Sequence, residues 1–173
     1  MPDWPRLFSR HRAAVAAYAE RASAIQPGQW DTPRAPGKWT PAQETEHVRL
    51  AYQLMVRAFR DGYRARPMVS RFWARLLRWT ILPVIRTGRW FPEGAHAPRD
   101  VRPADHPGPR DSLIEALCAQ SAEWEGVVES LVATDPGRAA FHPYFGEVSL
   151  PAMLEMSVGH TRHHLRHLEE IPS

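Results

Sequence analysis

Cys118 is the only cysteine among the 173 residues; this excludes an intrachain disulfide and agrees with a reducing compartment. No stretch approaches the roughly 20 consecutive apolar residues needed to span a bilayer. The opening MPDWPRLFSRHRAAVAAYAERA carries charges throughout and lacks the apolar run of a signal peptide, so a cytoplasmic protein is expected. Internal repeats are absent, and no segment shows a convincing strand alternation. The net charge of +3 and pI of about 9.5 reflect a local arginine excess. They do not exclude nucleic acid, although none is expected as a partner.

What is present is helical periodicity. Residues 2 to about 25 place Leu7, His11, Ala14, Val15, Tyr18 and Ala22 at the three-four spacing of a buried stripe. After the Gly/Pro-rich IQPGQWDTPRAPGKW, a second helix starts at KWTPAQETEH, with Thr40 as N-cap, Pro41 at N1 and Gln43 closing a capping box. Its stripe of Val48, Ala51, Leu54, Met55 and Ala58 extends back one turn from Ala51 to His47. Asp111 or Ser112 is expected to cap a third helix carrying Leu113, Leu117, Trp124, Val128 and Leu131. TDPGRAAFHPYFGEVS reads as a loop, and a final helix runs from an N-cap at Ser149 to a stop at Pro172. Between them, residues 64 to 110 read as a long crossover with an amphipathic helix between Pro67 and Pro83, followed by a stretch too rich in Pro and Gly for regular structure. The expectation is a single all-α domain over 1–173, a four-helix bundle with one decorated crossover.

The chemistry concentrates in HTRHHLRH, residues 160 to 167. Two pairs have the i, i+4 spacing that lets imidazoles share a ligand: His160 with His164, and His163 with His167. At roughly 100° per residue, His164 lies about 40° and His160 about 80° from the centre of the helix's apolar face. His167 and His163 fall about 100° and 140° away. The first pair therefore borders the core, where His47 of the second helix can join it. Three imidazoles with room for another ligand form a catalytic rather than a structural metal arrangement. His47 can equally be a buried histidine bonded to a carbonyl.

Other residues are weighed in the same way. His163 and His167 are expected to be solvated or to orient a ligand by meeting a carboxylate such as Glu169 or Glu170. His142 stands either at a pocket mouth or as a loop anchor, and Tyr144 and Phe145 read as packing. Trp39 reads as a staple or core plug, with a pocket wall as the alternative. Glu44 is assigned to the helix dipole, and neither it nor Glu46 is nominated as catalytic. Cys118 reads as a small buried hydrophobe. On the insert helix, Arg71, Arg75 and Arg78 form one face and Phe72, Leu76 and Trp79 another. The expected arrangement is a basic solvated face over an apolar underside docked on the bundle. The alternatives are a lid supplying arginine to a carboxylated substrate, or an anionic-membrane contact through residues 68–90.

Two stretches, PGKWTPAQETEHV and HPYFGEVSLPAMLEMSVGHTRHHLRHL, resemble the DinB superfamily of DinB/YfiT-like metalloenzymes. The resemblance brackets nearly the whole chain and implies an up-down-down-up bundle whose metal triad maps onto His47, His160 and His164. It also implies a divalent metal, Zn or Ni, that activates a low-molecular-weight thiol or a water toward a small-molecule substrate, and a homodimer by analogy. Relatives in that family include bacillithiol-using S-transferases and mycothiol-dependent maleylpyruvate isomerases. The function expected is thus a thiol-dependent S-transferase, with a metal-dependent hydrolase or a non-catalytic metal- or partner-binding bundle as alternatives. The insert and the extra histidines depart from the family's plain pattern.

Overall fold

The computed structural model describes residues 2–87 and 96–171. The 88–90 end of the segment considered for membrane contact, and Pro172 as a helix stop, lie outside the described residues.

Helix α1 (Trp4–Ser23) starts where Asp3 accepts the Arg6 N–H at 3.1 Å, and it buries Leu7, His11, Ala14, Val15, Tyr18 and Ala22 as its spacing predicts. Helix α2 (Pro41–Arg60) opens on the expected capping box. The Gln43 N–H donates to Thr40 Oγ1 at 3.2 Å, and the Thr40 N–H donates to Gln43 Oε1 at 3.1 Å. This fixes the start of α2, whose first two turns carry Glu44 and His47.

The crossover contains α3 (Arg71–Thr80) and α4 (Leu82–Thr87) in place of one helix between the two prolines. Ser70 caps α3 by accepting the Trp73 N–H, and Pro83 is tolerated in the first turn of α4, where its missing N–H has no helical partner to lose. The apolar underside also differs from expectation. Ala74, Leu82 and Ile85 are buried and Leu77 and Ile81 pack in part, whereas Phe72 and Trp79 stay 72% and 71% exposed. Helical spacing explains the reversal: Ala74, Leu77 and Ile81 share an arc of about 60°, and Phe72, Leu76 and Trp79 share another roughly opposite it. Only one can face the bundle.

Helix α5 (Arg110–Thr134) begins before the expected Asp111 or Ser112 cap, with Pro109 at the N-cap and no side-chain cap. Arg110 anchors this start by donating from Nη1 to the Ile25 carbonyl at 2.7 Å. The following segment, expected to be a loop, is a hairpin of β1 (Ala139–His142) and β2 (Gly146–Ser149), paired antiparallel with Ala140 opposite Val148. Four-residue strands are too short to show alternation. Gly146 supplies the left-handed φ of +68° at the turn, and Ala140, Phe145 and Val148 bury against the bundle. Helix α6 (Leu150–Glu169) has Ser149 at its N-cap without a side-chain bond, while Leu150 N–H donates to the Arg138 carbonyl at 2.9 Å.

Side-chain pairings give the bundle order. Arg12 meets Glu125 while Arg110 meets Ile25, so α1 and α5 run antiparallel. Arg21 reaches the Ile171 carbonyl just past the end of α6, making α1 and α6 parallel. Glu44 meets His164 and Tyr52 meets Thr161, so α2 and α6 are antiparallel. Together these directions make the four-helix bundle up-down-down-up, with α1 and α2 lying diagonally. Trp124, Tyr18, Tyr52, Phe59, Leu117 and Leu154 fill its centre.

Candidate metal centre

Antiparallel packing of α2 on α6 brings the first turn of one against the last turns of the other. His47, His160 and His164 meet there, with their ligand atoms within 4.8 Å of one another. His160 Nε2 lies 3.1 Å from His47 Nε2 and 3.1 Å from His164 Nε2. Metal–nitrogen bonds of about 2.0–2.1 Å at tetrahedral angles separate ligand nitrogens by roughly 3.3 Å, so this spacing fits a shared divalent ion.

The ring partners set the tautomers. His47 Nδ1 donates to the Val101 carbonyl at 2.7 Å, and a carbonyl can only accept. His164 Nδ1 donates to the Glu44 carboxylate at 2.5 Å. Both contacts leave the proton on Nδ1 and turn the Nε2 lone pair into the cluster, the arrangement that orients metal-ligating histidines. Burial holds His160 and His164 well below the usual imidazole range, reinforced by neighbouring imidazoles, and burial also lowers His47. The rings are neutral near pH 7, the form that ligates a metal.

Glu44 does more than the helix-dipole task expected of it as the acidic residue in the first turn of α2. It is only 3% exposed, and its second oxygen accepts from His167 Nδ1 at 3.0 Å. Its i, i+3 spacing from His47 was the available signal. His167 is thus half-buried on Glu44 rather than on Glu169 or Glu170. The His163 ring packs 5.0 Å from His164 and 4.3 Å from His167, and burial pushes it down to about 4. The Val101 carbonyl comes from a short turn at the end of the crossover, a backbone group that no side-chain motif announces.

Trp39 forms a wall of the site, its ring 4.8 Å from His47 and 6.4 Å from His164. The three histidines line a cavity of about 640 Å³ that also takes in Met55, Ile81, Ile85, Met153 and Met156. His142 lines it too, stacked 4.8 Å from Phe145, with Nδ1 accepting the Tyr144 N–H at 3.2 Å. It therefore combines the pocket and loop-anchor roles. Phe145 is buried packing that also lines the cavity, and Tyr144 lines it too while donating to the His96 carbonyl. Cys118 is half-buried on α5, outside this cavity. Among the described residues, no helix is long and apolar enough to cross a membrane.

An up-down-down-up bundle with convergent histidines on α2 and α6 defines a class of helical proteins. Residues 7–168 match the family model of the DinB superfamily, and the chain belongs to that family. Two solved structures share its fold. One is YfiT from Bacillus subtilis, described as a probable metal-dependent hydrolase with an unusual four-helix bundle topology. It has a TM-score of 0.62 and 18% identity, over 98% of this chain and 87% of that one. The other is TT2238, described as a four-helix bundle protein, with a TM-score of 0.57 and 20% identity over 96% and 98%. No curated protein matches the chain significantly.

Proposed function

We propose that His47, His160 and His164 hold a divalent metal and that the chain is a metal-dependent enzyme activating a low-molecular-weight thiol for transfer to an electrophilic small molecule. The observation that carries this reading is the pair of fixed tautomers, which aim two Nε2 lone pairs at the point shared with His160. When bound, such an ion supplies a Lewis acid that lowers the pKa of a coordinated thiol or water. Three neutral imidazoles leave its charge uncompensated, which favours an anionic partner such as a thiolate.

The protein's own residues supply orientation and exclusion of water. Val101 and Glu44 hold two of the rings in register, and Glu44 adds a buried negative charge beside the cluster. Trp39 closes one side, and the apolar cavity wall suits a substrate with an apolar portion.

A second reading, hydrolysis by an activated water, draws on the description of YfiT as a probable metal-dependent hydrolase. Product analysis of the metal-loaded protein with electrophiles and esters, with and without a small thiol, separates the two. Conjugates that form only with thiol, and are lost in His164→Ala, support the transferase; thiol-independent hydrolysis that is lost in the same variant replaces it. Turnover that survives His164→Ala removes both.

A further inference from the structure

Between residues 62 and 87 the chain has six arginines and no acidic residue, and α3 carries large apolar side chains on the side turned away from the bundle. Phe72, Trp73, Leu76 and Trp79 are 72%, 54%, 41% and 71% exposed, and Met68 and Val84 extend the patch at 40% and 38%. This is no failure of packing, because the opposite side of α3 is already seated through Ala74, Leu77 and Ile81. Arg71, Arg75 and Arg78 lie along one flank of the outward apolar arc, about 100° from its centre. Arg64 and Arg78 bond Glu147 and Arg86 pairs with Glu155. Among the described residues Arg66, Arg71 and Arg75 make no ion pair.

We propose that the outward face of α3 is a docking surface for an anionic lipid bilayer. Aromatic side chains beside arginines are the composition of a helix lying in a membrane interface. The indoles settle at headgroup level, and arginine stems reach back to lipid phosphates. Charge decides against the other occupant that an apolar patch suggests, a second copy of this chain. A two-fold interface sets the same face against itself, bringing arginine against arginine, and residues 62–87 supply no carboxylate to pair them. A bilayer with acidic headgroups satisfies both halves of the patch at once.

The test is cosedimentation of the untagged full chain with phosphatidylcholine vesicles, and with vesicles that also contain phosphatidylglycerol, while tryptophan emission is followed. Wild type is expected to partition at least about tenfold more strongly onto the anionic vesicles, with a blue shift, and to release at high salt. Phe72→Ser with Trp79→Ser should lower partitioning by about tenfold or more. Arg71→Glu with Arg75→Glu should remove the preference for anionic lipid. All four positions are exposed, so both variants should keep the wild-type circular dichroism and melting curve. The wild-type vesicle arm stands even if a variant fails to fold. Equal partitioning onto both vesicle types, or anionic binding that neither variant weakens, overturns the proposal. So does sedimentation velocity showing a dimer that Phe72→Ser with Trp79→Ser dissolves while wild type ignores vesicles.

Discussion

The α2–α6 contact and the α3 surface are built from opposite errors of placement. At the first, a carboxylate and two imidazoles are each at most 6% exposed; at the second, two of the largest apolar side chains are more than 70% exposed. Proteins rarely bury ionisable groups or present contiguous aromatics without reason, and such departures concentrate where function is. The two regions treat their misplaced groups differently. Inside, nearly every polar atom has a partner: Glu44 accepts from two rings, and His47 donates to a carbonyl. Outside, the apolar arc stays exposed to solvent and Arg66, Arg71 and Arg75 make no ion pair among the described residues. A satisfied interior agrees with the metal proposed for the cluster, and an exposed apolar exterior with the bilayer contact proposed for α3.

The sharpest contrast is between two tryptophans. Trp124, fully buried and 5.3 Å from the Phe59 ring, should cost about 3–5 kcal/mol of stability when changed to alanine. Trp79→Ser should stay within about 0.5 kcal/mol. Urea unfolding of both variants measures this, and a large loss from Trp79→Ser would show that α3 packs on its outward side after all.

Acid should strike the histidine region and spare the α3 surface. Burial pushes His142 down to about 4 from its ordinary 6.5, so the folded ring stays neutral while the unfolded ring protonates below 6.5. The unfolded state then binds more protons, and its share of stability, complete above 6.5, is lost as pH falls through about 4. We expect a loss on the order of 2–3 kcal/mol from this residue. Unfolding at neutral and acid pH should show His142→Gln reducing the loss and Arg75→Gln leaving it unchanged.

Glu44→Gln keeps the shape of the site but removes the charge that orients His164 and His167. Metal affinity, read by chelator competition, is expected to fall about 10–100-fold, whereas Arg71→Gln should leave it unaltered. Equal affinity in Glu44→Gln would reduce the carboxylate to a packing group.

Much of this was legible in the sequence. The stripe of α1, the capping box of α2 and the preference for His160 and His164 over His163 and His167 follow from spacing, because a helix's faces are set by geometry that repeats along the chain. What depended on contacts between distant segments was not legible. Glu44 looks like an ordinary first-turn carboxylate until α6 packs on it, and the Val101 carbonyl carries no side-chain signature. The 139–149 hairpin is too short to alternate. On α3 the arc of Phe72, Leu76 and Trp79 was visible, yet nothing local says that the bundle takes the opposite one.

The central claim, that the three histidines hold a metal, is tested most directly by plasma mass spectrometry of untagged protein beside His47→Ala and His164→Ala. The expected result is a near-stoichiometric divalent ion in wild type that is lost from both variants. Metal missing from wild type after reconstitution, or retained in both variants, would contradict it.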